Sequence, residues 1–172
     1  MNIRNETSLD SANSVSIRTG LQPGDLGWVT HRHGVLYAAE YDWNVEFEAL
    51  VASVVADFGE QHDPAREQCW FAEIDGQTVG SIFLVQNSER VGQLRLMLVE
   101  PSARGHGIGT RLIDECLAFA RAAGYQTVKL WTNSVLVDAR RLYARVGFKL
   151  VESEPYQAFG HELVSEFWEI AL

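Results

Sequence analysis

Val99-Glu100-Pro101-Ser102-Ala103-Arg104-Gly105-His106-Gly107-Ile108-Gly109-Thr110 is the stretch on which the reading of the fold turns. Three glycines alternate in it, and the residues on either side have different periodicities. Upstream, Val91 to Val99 is a β-rich run. Downstream, from Gly107 to Ala123, Ile108, Leu112, Ile113, Cys116, Leu117 and Ala120 recur on one helical face, while Arg111, Asp114, Glu115 and Arg121 lie off it. Gly124 then stands where a helix C-terminus needs a residue with positive φ. A further apolar run, Thr127 to Trp131, follows. Strand, loop, helix and strand in that order imply a crossover between two parallel strands.

Working outward, Val15 to Arg18 alternates like a short strand and Pro23-Gly24 stops it. Asp25 to Tyr41 has mixed helical spacing interrupted by Gly34, which predicts two short helices or one broken one. Phe47, Leu50, Val51, Val54, Val55 and Phe58 predict an amphipathic helix with Asn44 as N-cap and Gly59 as its end. Cys69 to Ile74 and Thr78 to Val85 flank Asp75-Gly76, the signature of a tight hairpin. A second helix is expected at about Val137 to Val146, ending at Gly147. Strands are expected near Phe148 to Tyr156 and Glu162 to Ala171. The fold class is therefore α+β: a mixed, mostly antiparallel central sheet with helices on both faces. Residues 1–13 read as a polar, disordered lead and 14–172 as a single domain.

The 172 residues carry 14 Lys+Arg against 23 Asp+Glu, a net charge of −9. Such a balance argues against nucleic acid as a partner, because phosphate backbones are bound chiefly by Lys and Arg. Any anion must be held by local donors against the overall field. Cys69 and Cys116 have neither CxxC spacing nor clustered partners and read as reduced core residues. No signal peptide or membrane-length apolar run is apparent, so a cytoplasmic protein without membrane contact is expected. No metal site is expected either. His31-x-His33 has a metal-pair spacing but lacks a third ligand.

The glycine loop is suited to an oxygen anion. Residues without Cβ atoms expose backbone N–H groups, the helix that follows adds its own free amides and positive dipole end, and Arg104 adds a cation. A dinucleotide fingerprint would need glycine at position 110, which is Thr110, and an acidic residue ending the next strand, where Trp131-Thr132-Asn133 stands. A nucleoside triphosphate loop needs a Gly-Lys pair, and the chain has none. What remains is Arg104-x-x-Gly107-x-Gly109. Downstream runs Ala139-Arg140-Arg141-Leu142-Tyr143-Ala144-Arg145-Val146-Gly147-Phe148, and upstream stands Val99-x-Pro101. Together these resemble the acyl-coenzyme A loop and the A-x-x-L-Y-x-x-x-G-F signature of the GNAT (Gcn5-related N-acetyltransferase) superfamily. The resemblance covers Val91 to Phe148 specifically. His31 to Tyr37 with Glu40 to Trp43 also resembles the acetyltransferase half of proteins that fuse a MarR-type winged helix to a GNAT domain, although no winged helix precedes it here.

The resemblance implies acetyl-CoA as co-substrate and transfer of its acetyl group to a primary amine of a small molecule, with a homodimer as a conceivable assembly. It assigns the coenzyme to Leu98, Val99, Arg104, Gly105, His106, Gly107, Ile108, Gly109 and Thr110. Family members often carry an asparagine where this chain has Leu136, and Asn133, one helical turn earlier, is the candidate to replace it. The strand Leu96 to Val99 would pair with the pantetheine arm, and an N–H near Leu98 or Val99 would stabilise the oxyanion. Tyr143 would protonate the leaving thiolate. The base that deprotonates the incoming amine is open among Glu40, His31, His33 and His161, directly or through water, with Glu40 placed beside Tyr143 in the catalytic set. His31, His33, Tyr37, Arg95 and His161 are the candidates for the acceptor side, with Arg95 positioned to meet a substrate carboxylate. Acetylation of a protein lysine or N-terminus, or a non-catalytic acyl-CoA-sensing module, stays open as an alternative.

Overall fold

The computed structural model describes residues 14–172. The expected disordered lead, 1–13, lies outside the described residues. In chain order the elements are β1 (Val15–Thr19), α1 (Asp25–Tyr41), α2 (Val45–Gln61), β2 (Gln68–Ile74), β3 (Gln77–Gln86), β4 (Val91–Val99), α3 (Ile108–Ala122), β5 (Thr127–Asn133), α4 (Val137–Val146), β6 (Lys149–Ala158) and β7 (His161–Ala171). A 3₁₀ turn, Pro101–Ala103, leads into the glycine loop.

The strands form one sheet in the order β1-β2-β3-β4-β5-β7-β6. Every neighbouring pair is antiparallel except β4 with β5. That exception is the crossover expected from the glycine loop. Asp75 and Gly76 both take positive φ, at 51° and 75°, which matches the tight β2–β3 hairpin. Two apolar clusters cover the two faces. On one, α3 and α4 set Leu112, Ile113, Cys116 and Tyr143 against Trp70, Ile82, Leu84 and Leu130. On the other, α1 and α2 set Val29, Phe47, Val51 and Phe58 against Phe71 and Phe83. Both cysteines are buried and free, as expected, and burial pushes the Cys69 thiol up to about 12.

Two sequence expectations about helices need correction. Gly34 does not break α1, which runs continuously from Asp25 to Tyr41. It is instead where the Glu48 side chain of α2 packs against α1: a Cβ at Gly34 would lie 2.7 Å from Glu48 Oε2. Likewise α2 passes through Gly59 to Gln61, and a Cβ at Gly59 would meet Leu26 Cδ1 at 2.8 Å. A helical glycine costs about 1 kcal/mol relative to alanine, and here that cost allows the close packing of α1 and α2. The Asn44 cap is present, its Oδ1 accepting from the Glu46 N–H at 3.0 Å.

Candidate active site

The parallel pairing of β4 with β5 runs only from Val91↔Thr127 to Leu94↔Leu130. Beyond it the strands part, and a cavity of about 810 Å³ occupies the gap. A bulge in β4 shapes this opening. Leu96 takes φ 52°, and the β3–β4 register shifts between Ser81 and Phe83. A left-handed leucine costs roughly 1–2 kcal/mol. Its carbonyl is held by the hydroxyl of the fully buried Ser81, which donates at 2.9 Å. Past the bulge, the Glu100 N–H donates to Val79 O at 2.8 Å, on the β3 side. Strand alternation therefore turns the Val99 N–H toward the opening. Leu98, although it lines the cavity, sits in register with Ser81 and has its amide on the β3 side, so of the two expected backbone donors only Val99 is aimed at the gap.

The loop supplies the next group of donors. Gly105 and Gly107 take φ 82° and 73°, a region that only glycine enters cheaply. No backbone or side-chain acceptor among the described residues receives the N–H groups of Gly105, His106, Gly107, Ile108, Gly109 or Thr110; the first intrahelical bond of α3 is Arg111 N–H to Gly107 O at 3.1 Å. Six successive free donors at a helix start form an anion cradle. Gly109 also permits a close approach, because a Cβ there would lie 2.8 Å from Leu142 Cδ2 on α4. The cradle fits a pyrophosphate of coenzyme A by donor chemistry alone.

The Arg104 side chain does not lie over the cradle. Its Nη1 and Nη2 donate to the two carboxylate oxygens of Glu40, at 3.2 and 2.7 Å, and its Nε donates to Val99 O at 3.1 Å. The expected phosphate cation and the expected catalytic carboxylate are thus paired across the mouth of the cavity. The Glu40 carboxylate keeps the Arg104 guanidinium charged and raises its pKa.

Tyr143 lies on α4, buried and lining the cavity, with no protein partner for its hydroxyl among the described residues. Burial drives its pKa well above the ordinary tyrosine value. Tyr37 on α1 lines the same cavity and is raised in the same direction by burial and by the nearby Tyr143. The α4 helix is anchored to the sheet by Arg140, which donates to the buried Glu166 at 2.9 Å; Glu166 also accepts from Trp168 Nε1 at 2.9 Å. Asn133 lines the cavity, and its Oδ1 accepts from the Tyr156 hydroxyl at 2.7 Å.

Of the four histidines assigned to the acceptor side or the loop, three do not line the cavity. His31 is exposed and faces a shallow depression between α1 and α2, because residues two apart point to different sides of a helix. His161, at the β6–β7 turn, donates its Nε2–H to Asp42 O at 2.7 Å, away from the cavity lining. His106 is exposed, its Nδ1 lying 3.2 Å from Arg104 O, and its ring is not part of the lining. His33 does line the cavity. Its Nδ1–H donates to Val29 O at 2.8 Å, while its Nε2 is buried without a partner. Burial lowers its pKa to about 4. No group of three or more His, Cys, Asp or Glu among the described residues could hold a metal ion.

Sequence reasoning did not single out Thr132, whose buried hydroxyl has no partner and which lines the cavity on β5. Nor did it find the apolar wall of Leu50, Val51, Val54 and Phe167. The α2 pattern predicted a core face, and only the opening of the sheet reveals that this face also borders a cavity.

A β4 opened at a bulge, a glycine-rich amide cradle and a tyrosine on the next helix accord with the match to the acetyltransferase (GNAT) family model over residues 30–148, and the chain belongs to that family. It is similar to "Probable N-acetyltransferase camello" of Xenopus tropicalis, 30% identical over 138 residues, which cover 76% of this chain and 63% of that protein. It is also similar to an uncharacterized N-acetyltransferase of Archaeoglobus fulgidus, 33% identical over 88 residues, 48% of this chain and 60% of that one. The chain thus spans about 60% of the length of these curated relatives. A GNAT family acetyltransferase from Elizabethkingia anophelis, solved with acetyl-CoA bound, shares the fold with a TM-score of 0.66 at 14% identity, covering 92% of this chain and 98% of that one. The finer likeness of residues 31–43 to the MarR-fused enzymes is not shown by these matches. Among the described residues no helix is long and apolar enough to cross a membrane.

Proposed function

We propose that the chain is an acetyl-CoA-dependent N-acetyltransferase that moves an acetyl group to the primary amine of a small molecule by direct attack, with Tyr143 as general acid. The observation that carries this reading is that one cavity joins five residues with free loop amides, an unpaired strand edge and the hydroxyl of the buried Tyr143. Bound coenzyme A would supply the acetyl group as a thioester. The amides of Gly105 to Thr110 bind the pyrophosphate, and the β4 edge beyond Leu94 orients the arm that follows it. The Val99 N–H faces the acyl oxygen, and one such donor is worth roughly 10²–10³ in rate. Tyr143 Oη holds its proton at neutral pH because burial raises its pKa, and so it has a proton to give to the departing sulfur. Glu40, with both oxygens bound by Arg104, holds that guanidinium against α1 and away from the loop amides. The walls formed by α1 and α2 enclose the acceptor end, which suits a small molecule better than a protein segment. The names of the matched relatives, N-acetyltransferases, agree with the reaction type.

The test is release of free thiol from acetyl-CoA in the presence of a panel of small amines and of lysine-bearing and free-N-terminus peptides, with N-acetyl product checked by mass. Turnover on small amines is expected. Turnover on peptides alone would transfer the reading to protein acetylation. Tight coenzyme binding with no turnover on any amine would leave a sensor of acyl-CoA.

A further inference from the structure

Four arginines line the cavity, with Glu40 and Asp138 as the acidic residues beside them. Arg104 is paired with Glu40 and Arg141 with Asp138, and Arg145 is exposed to solvent. Arg95 is different. It is half-buried and makes no ion pair or side-chain hydrogen bond among the described residues. Burial lowers its pKa, and Asp57 on α2 opposes this only through space. A guanidinium taken out of water without a counterion is costly, and the cost is removed when an anion arrives with a ligand.

Its position tells which ligand. Arg95 is the first β4 residue beyond the last β4–β5 pair, Leu94↔Leu130, so it stands at the inner end of the opening. It is in register with Phe83, and Phe83 belongs to the cluster under α1 and α2. Directly opposite residues in an antiparallel pair share a face, so Arg95 is on the α1–α2 side, opposite the α3–α4 face that carries Tyr143. There the cavity wall is apolar: Leu50, Val51 and Val54 of α2, with Phe167 of β7. The loop amides have their own anion site at the other end. The Arg95 end therefore receives a second anion, carried by the acceptor.

We infer that the acceptor is a small aminocarboxylate with an apolar side chain: its carboxylate is held by the Arg95 fork, its side chain lies against Leu50, Val51 and Val54, and its amine points along the opening toward Val99. This rests on the proposed N-acetyltransferase reading and narrows its substrate class. Arginine suits the role because its planar fork meets a carboxylate through two parallel hydrogen bonds.

Calorimetric titration of the protein loaded with coenzyme A tests the inference without requiring turnover. Leucine, phenylalanine and methionine are each compared with the decarboxylated amine and with the carboxamide. The amino acids should bind at least roughly ten-fold tighter than either control, since a site built for a polar partner rejects the analogue lacking it. Arg95→Met should level the three affinities and Arg95→Lys should keep part of the difference, with thermal unfolding checking that both fold. The wild-type comparison needs no variant. Equal affinities, or no binding by any amino acid of the set, overturn the inference. Thiol release driven by the decarboxylated amines as well as by the amino acids would then leave the acetyltransferase reading intact. A clear carboxylate preference with no thiol release from any amine would instead overturn that reading and keep the Arg95 site.

Discussion

The two ends of the cavity are built differently. At the loop end, the donors are the consecutive backbone amides of Gly105 to Thr110, and side chains contribute little beyond staying out of the way. At the α1–α2 end, the lining comes from side chains far apart in sequence: His33 and Tyr37, Leu50 and Val54, Arg95 and Phe167. The first end depends on dihedral angles that a few glycines permit. The second depends on packing, on which side of a helix faces the sheet, and on where two strands part. Substitutions at the loop end should therefore fail by backbone geometry, and those at the helix end by solvation and charge.

The largest effect is expected at Gly107, with φ 73° at the head of α3. A β-branched residue is strained in that region, and its side chain would crowd the free amides on either side. Gly107→Val should weaken coenzyme binding by at least about a hundred-fold, equivalent to roughly 3 kcal/mol. Far-ultraviolet circular dichroism should stay close to wild type, because among the described residues no atom beyond the two chain neighbours lies within 4 Å of the added Cβ. Retained binding would show that the anion is held elsewhere. Next comes Tyr143→Phe, which removes one oxygen from the cavity. Turnover should fall by about 10²-fold or more while coenzyme affinity stays within about two-fold of wild type. Turnover that survives the change removes Tyr143 from the role of acid.

At the helix end the prediction concerns pH. His33 has a folded pKa of about 4 against an ordinary value of 6.5, because burial disfavours its charged form. As pH falls below about 6.5 the unfolded chain takes up this proton while the folded chain does not, so native stability drops until the folded pKa is reached. Each pKa unit is about 1.4 kcal/mol, which puts the loss at about 3 kcal/mol between pH 6.5 and pH 4. Urea titrations across that range should show the slope, and His33→Phe should flatten it. An acid slope unchanged in the variant would mean that the imidazole gains its proton without unfolding.

How far each end could be read in advance follows from the same contrast. Local backbone patterns survive in the sequence: the Asp75-Gly76 hairpin, the Asn44 cap, the crossover through Gly107 and the α4 span from Val137 to Val146 all appear where spacing put them. Tertiary facts do not. Nothing in the sequence showed that Leu96 adopts a left-handed conformation, because leucine is a poor candidate for it and the Ser81 hydroxyl that secures its carbonyl is fifteen residues away. His31 and His161 are acceptor-side candidates by residue type and His106 a coenzyme-loop candidate, yet helix phase and turn position keep all three out of the cavity lining. Gly34 looked like a break because an isolated glycine weakens a helix, and the compensating approach of Glu48 belongs to another element.

The smallest expected effect lies where the two ends meet, at the Glu40–Arg104 pair. The side chains are 29% and 46% exposed, so solvent screens the pair and its contribution to stability should be under about 1 kcal/mol. Glu40→Ala should thus leave the unfolding midpoint nearly unchanged. Its functional effect separates two roles. With the carboxylate gone, the Arg104 guanidinium is free to turn from α1 toward the cradle, where its charge adds to the six amides; coenzyme affinity should then hold or tighten by a few-fold, and turnover at saturating coenzyme should change little. A carboxylate that removed the proton from the attacking amine would behave otherwise: its loss would cost about 10²-fold in turnover with coenzyme affinity unmoved, and raising the pH would recover part of it as more of the amine becomes neutral. The first outcome leaves the helix end to bind and orient the acceptor, with the proton chemistry concentrated on the α4 side; the second would place a catalytic group on α1 and make the two ends share the reaction.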